Sequence, residues 1–282
     1  MKQDNALQVY YDEKLVGTLA MTVNRKAAFQ YSDEWLEHGF SISPFSLPLK
    51  KQVFVPTKDY FGGLFGVFAD SLPDNWGRLL LNRLLREHKQ DPDKLTVLDR
   101  LAIVGKSGMG ALTYYPERRF PEQQDNPDLD ELAQECQKIL NTEYTDKLDE
   151  LYRLGGTSGG ARPKIMTSIG NEEWIIKFPA HVDGKDAGKM EYDYSCCARK
   201  CGITMSETKL FPSKTCKGYF GTRRFDRVTN QNGTKRIHML TAAALLELDF
   251  EQPSLDYHSL MKLTKILTKD HYADVESMFR RM

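Results

Sequence analysis

Four glycines within six residues, in the run Gly155-Gly156-Thr157-Ser158-Gly159-Gly160, precede two short apolar segments and a helical pattern. This succession constrains the fold more than any other stretch. Glycines let backbone N–H groups approach a polyanion without interference from Cβ, so such a turn can form a nest of donors. Thr157 and Ser158 add hydroxyls. A glycine turn can equally be a tight connection between helix and strand, and the segment after it narrows the choice. In "EEWIIKFPA" the apolar Trp174, Ile175 and Ile176 lead to Lys177 at the end of a strand. An unpartnered ammonium in a sheet layer is costly to desolvate. Its natural partners are a phosphate and a carboxylate, and Glu191 opens the next helix within reach of a pair.

Glycine loop, strand lysine and helix glutamate, in that order, are the upper-lobe parts of protein-kinase-like phosphotransferases. The alternative is a surface strand with a solvated Lys177 and a Glu191 that favours a helix N-terminus. A second glycine turn, "GKSGMG" at 105–110, ends like a phosphate-binding Walker A loop. That motif requires a glycine at position 100, where Arg100 stands, and a helix directly afterwards, where "ALTYY" is strand-like. A closely packed turn is the better account of it.

The rest of the chain sorts by periodicity. Residues 7–31 alternate as a hairpin, "LQVYY" and "LVGTLAMTV" around "DEK", with a third strand at Phe29–Tyr31. "ISPFSLPLKKQVFVP" is extended and broken by proline. Trp76, Leu79, Leu80, Arg83 and Leu84 recur at helical spacing behind Asp74, which is placed to be an N-cap. "LTVLDRLAIVG" is helical, "GALTYYPE" a strand, and 116–128 has the charge and proline content of a linker. Helical patterns cover 129–140 and 146–154. After the glycine turn come "KIMTSI", "EEWIIKFPA", the helix "EYDYSCCARKCG", and strands near "MSETKLF" and "GYFGTRRFDRV". At 282 residues and 40% hydrophobic the chain can bury about two cores. The expected architecture is α+β, with one domain over 1–125 and a second over 126–282.

Composition excludes several classes. A net charge of +0 and a pI near 7.0 give no global basic field for nucleic acid. A mean hydropathy of -0.52, without any apolar run of about 18 residues, argues against a membrane span. No apolar signal region opens the chain. Cys136, Cys196, Cys197, Cys201 and Cys216 lack the paired spacing of a zinc site and read as reduced thiols of a cytoplasmic protein.

"LGGTSGGARPK", "WIIKFP", "EY", "RFDR" and "TAAALLEL" resemble the HipA-type serine/threonine protein kinases, the toxins of bacterial toxin–antitoxin pairs. "VYYDEKLVGTLA", "FQYSDEWL", "SLPL", "FADSLPDNWGR" and "GKSGMGAL" resemble the same family, so the likeness runs from about Leu7 to Met282. It implies a HipA-like N-terminal domain, a kinase-like upper lobe and the start of a helical lower lobe. By resemblance, Thr157, Ser158, Gly159, Gly160, Ala161 and Lys164 would cover the ATP phosphates. Lys177 would contact the α- and β-phosphates, with Glu191 orienting it. Arg223 and Phe225 would meet adenine through their backbone and Asp226 the ribose, the alternative for Asp226 being an ion pair with Arg224 or Arg227. Family members can phosphorylate a serine in the loop and eject it; Thr157 stands at that position, with Ser158 next to it.

A kinase also needs a catalytic aspartate, an asparagine beyond it for metal, and a second metal-binding aspartate. No Asp-x4-Asn lies downstream of Lys177; the only such spacing is Asp70 to Asn75. "DFE" at 249–251 reads as the end of the "TAAALLEL" helix. Val275, Met278, Phe279 and Met282 form the apolar stripe of a final helix. The expectation is a polypeptide truncated before the catalytic loop, with no catalytic residue or metal ligand of its own. It is then a truncated full kinase, one half of a split kinase completed by a second chain, or a non-catalytic antitoxin-binding module, and in each case it transfers no phosphate alone. The family implies ATP, Mg²⁺ for the complete kinase only, a helix-turn-helix HipB-like antitoxin, operator DNA through that antitoxin, and a substrate such as glutamate–tRNA ligase.

Overall fold

The computed structural model describes residues 5–118, 128–157, 159–230, 233–250, 252 and 254–282. Alternation at the N-terminus becomes a hairpin of β1 (Ala6–Tyr11) and β2 (Lys14–Met21). Asp12 and Glu13 close it with φ of 44° and 64°, the left-handed pair whose twist matches a two-residue hairpin turn. With β3 (Ala27–Tyr31), β4 (Val53–Phe54) and β5 (Leu112–Tyr115) they form an antiparallel sheet of order β4-β3-β2-β1-β5. Of the proline-broken stretch after Ser43, only β4 is strand. The inward face, with Val9, Val16, Leu19 and Phe29, packs against Trp35 of α1 (Asp33–His38) and Phe68 of α2 (Gly66–Ala69).

The next helix, α3 (Asn75–Glu87), buries Trp76, Leu80, Leu81, Leu84 and Leu85. These side chains do not join the sheet beside them in sequence. They share a core with α5 (Leu129–Leu140), α6 (Leu148–Gly155) and the second sheet. The division expected at residue 125 therefore does not follow the packing, because the apolar stripe of α3 belongs to the second core. Helix α4 (Val97–Val104), capped by Thr96 and Asp99, divides its side chains between both. Most of the expected linker, 119–127, lies outside the described residues.

Beyond α6, β6 (Lys164–Ile169), β7 (Glu172–Lys177), β8 (Thr208–Phe211) and β9 (Tyr219–Arg223) form an antiparallel sheet of order β6-β7-β9-β8. Helix α7 (Ala187–Lys200) lies against β8 and β9. It begins at Ala187, so Glu191 stands in its second turn rather than at its opening. "GYFGTRRFDRV" divides into β9 and β10 (Arg227–Asn230), the latter paired with β11 (Gly233–Arg236). Helix α8 (Ala242–Leu245) is shorter than its alanine-rich pattern, and Asp249 and Phe250 lie beyond it rather than at its end. Helices α9 (Tyr257–Leu267) and α10 (His271–Arg280) pack on each other. Of the stripe expected on α10, Val275 and Met278 are partly buried, while Phe279 and Met282 are 64% and 53% exposed.

Close contact joins the two halves. A Cβ on Gly66 would lie 2.3 Å from the Ala244 carbonyl oxygen, so α2 and α8 meet backbone to backbone. Asp70 accepts from the Thr241 amide at 2.6 Å and its hydroxyl at 2.9 Å. Burial pushes the Asp70 carboxyl up to about 6 against those two bonds. Among the described residues no helix is long and apolar enough to cross a membrane.

Candidate functional site

β7 and α7 bring Lys177 and Glu191 together as an ion pair, although 14 residues separate them in the chain. The register that places Lys177 opposite Lys164 on β6 and Phe220 on β9 explains this position. Trp174 and Ile176 point into the core, and the pleat turns Lys177 to the other face, over the Phe220 ring. The pair is about one-third exposed, which suits a working contact. A pair so open to solvent adds at most about 1 kcal/mol to stability. It borders a cleft of about 420 Å³ that Arg162, Asp186, Gly188 and Phe220 also line. Arg162 forms a two-pronged bond to Asp183, at 2.8 and 2.7 Å, and both residues line the cleft.

The glycine turn lies at the mouth of β6. Lys164, the first residue of β6, is buried, and its ammonium donates to the Gly159 carbonyl. Burial first, then the charge of Lys177, push Lys164 down to about 8, while Asp74 and Glu191 act in the opposite direction. Two lysines thus converge beside the turn, with Gly159, Gly160 and Ala161 exposed around them. Thr157 is buried, 5% exposed, and its hydroxyl donates at 2.9 Å to the Ser107 carbonyl. Ser158 lies outside the described residues.

The "GKSGMG" turn is the seat on which this region rests. Gly105 and Gly110 have φ of 50° and 73°, and the turn receives Thr157 from one side and Asp226 from the other, as the packing account expects. Asp226 departs from the ribose role. It is fully buried and accepts from Arg224 at 2.9 and 2.7 Å, from Arg227 at 2.7 Å and from the Gly110 amide at 2.8 Å. The ion-pair alternative is the one the structure contains. Burial opposes the charge of Asp226, but the Arg224 and Arg227 guanidiniums outweigh it and hold the carboxyl below its usual range. Arg223 pairs with Glu172 at 2.7 Å, and Phe225, 62% exposed, lines with it a second cleft of about 620 Å³ at the other end of β7.

Asp74 was legible only as an N-cap. It makes no capping bond to α3, and its carboxylate accepts instead from the Gly160 amide. Its place in "FADSLPDNWGR" was the one sequence signal, and periodicity assigned that signal to the helix start.

As chemistry, the site offers two ammonium groups, exposed glycine amides and an orienting carboxylate, a set suited to a polyphosphate. Asp74 and Glu191 are each engaged by a donor of the chain itself.

Family models match most of the chain. The family described as "HipA N-terminal domain" matches residues 7–115, and that described as "HipA-like C-terminal domain" matches residues 156–282. No curated protein matches the sequence. A solved structure of the Shewanella oneidensis MR-1 toxin–antitoxin system, HipA and HipB with operator DNA, is similar to the chain with a TM-score of 0.67 and 16% identity. The match covers 96% of this chain and 67% of that one. At this identity the likeness speaks for the fold. With both HipA domains present in family order on that fold, the chain belongs to the HipA family.

Proposed function

We propose that the chain is the nucleotide-binding portion of a toxin that phosphorylates serine or threonine hydroxyls of a protein at the expense of ATP. The observation that carries this reading is the Lys177–Glu191 pair at the end of β7, next to the glycine turn. Glu191 keeps the Lys177 ammonium pointed at the cleft, where it would hold the α- and β-phosphates; Lys164 and the exposed amides of Gly159 to Ala161 would take the remainder. ATP would supply the transferable phosphoryl group. The backbone at Arg223 and Phe225, beside the second cleft, is the remaining candidate contact for adenine.

Phosphoryl transfer leans on metal ions that neutralise developing charge. Within these 282 residues no Asp-x4-Asn lies beyond Lys177, so Mg²⁺ would be held by the complete kinase only. The family likeness supports a translation factor of the glutamate–tRNA ligase type as substrate. It also supports a cytoplasmic setting and a HipB-like antitoxin as partner, with operator DNA reached through that antitoxin. A second reading, an interaction module or one half of a split kinase, draws on the outward apolar face of α10, where Tyr272 and Phe279 are 93% and 64% exposed.

ATP titration with and without Mg²⁺, monitored by thermal unfolding, tests the main reading. ATP at 100 times its Kd is expected to stabilise the chain by about 2.7 kcal/mol, with or without the metal. A flat response in both would refute the nucleotide site. Robust Mg²⁺-dependent phosphorylation by residues 1–282 alone would refute the division of labour.

A further inference from the structure

The glycine turn already holds an anion, and that anion belongs to the protein. Six other helices, those begun by Ser32, Thr96, Asp128, Thr241, Asp256 and Asp270, have an N-cap side chain bonded to an amide of their own first turn. Asp74 occupies the same position before α3 and makes no such bond. Its Oδ2 accepts instead from the Gly160 amide across 86 residues of sequence, and its Oδ1 is buried without a hydrogen-bond partner among the described residues. A Cβ on Gly159 would lie 3.5 Å from the same Oδ2, so the carboxylate rests on the surface the turn presents. The Gly160 carbonyl accepts from the Trp76 amide at 3.2 Å, fixing the other side of the same residue to α3. The buried Lys164 ammonium, bonded to Gly159, stands within the field of Asp74. Carboxylate, glycine amide and lysine form here the set that a phosphate oxygen would form with the last two.

Resting on the nucleotide reading above, we propose that Asp74 is an internal competitor for the phosphate site: its carboxylate occupies the Gly160 amide, and nucleotide must displace it to bind. Two consequences of the geometry favour competition over a simple brace. A phosphate oxygen and the Asp74 carboxylate cannot share the single N–H of Gly160. The exchange also has little to lose on the protein side, because among the described residues the buried Oδ1 already lacks a partner, a state that costs free energy. The N-terminal half, through the residue that opens α3, thereby sets the affinity of the C-terminal half.

The test compares the wild-type chain with Asp74→Ala, which removes both the acceptor and the charge, and with Asp74→Ser, which restores a good N-cap should the first variant be poorly folded. Two quantities are read: hydrogen exchange of the Gly160 amide without ligand, and Kd for Mg²⁺-free ATP. The expected result is exchange at least about tenfold faster in the variants and ATP binding about tenfold tighter, a change of about 1.4 kcal/mol. Equal exchange in wild type and variants would overturn the proposal outright. Faster exchange with unchanged ATP affinity would also overturn it and leave Asp74 a brace. Protection of Gly160 in the wild type, lost in the variants, with ATP binding to none of them, would instead remove the nucleotide reading and the competition that rests on it.

Discussion

Asp226→Ala is expected to destabilise the chain by about 3–5 kcal/mol in urea unfolding, the cost of removing one partner from a buried ion network. Asp226 is fully buried, and the side chains of Arg224 and Arg227 are 5% and 7% exposed. Without the carboxylate, two guanidiniums face each other in a dry site. Arg227 is already under strain of this kind: burial and then Arg224 and Arg236 push it down to about 10, with Asp226 opposing them. The Gly110 amide would lose its acceptor as well. Because Arg227 also donates to the carbonyls of Gly110 and Gly108, at 2.9 and 3.1 Å, the loss should loosen the second half from the 105–110 turn. A cost below about 1 kcal/mol, the range of exposed pairs, would show that the network is solvated and Asp226 available to a ligand.

Gly77→Ala separates two opposed effects. Helix propensity alone favours alanine over glycine within a helix by about 1 kcal/mol. The packing says the reverse. A Cβ on Gly77 would stand 2.3 Å from the Gly156 carbonyl oxygen and 2.7 Å from the Pro73 Cβ. The first obstacle is backbone of the glycine turn and cannot rotate away. Steric conflict of this kind costs about 1–3 kcal/mol when the surroundings shift, so the close approach is expected to win and the variant to be less stable in thermal unfolding. The displaced turn should also weaken ATP binding. A stabilised variant would mean that α3 and the turn are not packed as closely as described.

These two residues show what the sequence could and could not reveal. Asp226 stands in "RFDR", and its sequence neighbours are arginines, so the ion pair was legible as an alternative to a ligand role. What tipped the balance was Gly110, 116 residues away, whose amide completes the network around the buried carboxylate. Lys177 and Glu191 were legible as a pair because each lies on an element with a clear period, and a strand end and a helix face have few ways to meet. The helix starts four residues before Glu191, behind Asp186, an N-cap residue by type that makes no capping bond. Helix α3 was legible as a helix but not as part of the second core. Periodicity tells which face of a helix is buried, and never against what. Asp74 was hidden for the same reason. A residue type that prefers N-caps stood at an N-cap, and only the fold shows that its carboxylate is turned away.

The central claim is that the Lys177 ammonium, held by Glu191 beside the glycine turn, grips a nucleotide phosphate. ATP titration of the wild-type chain against Lys177→Met, read as thermal stabilisation, tests it most directly. Methionine keeps the stem packed over Phe220 and removes only the charge, so the unliganded fold should change little in stability. The expected result is stabilisation of about 2.7 kcal/mol for the wild type at an ATP concentration 100 times its Kd, and essentially none for Lys177→Met at the same concentration. Equal stabilisation of the two proteins would contradict the account and send the phosphates elsewhere.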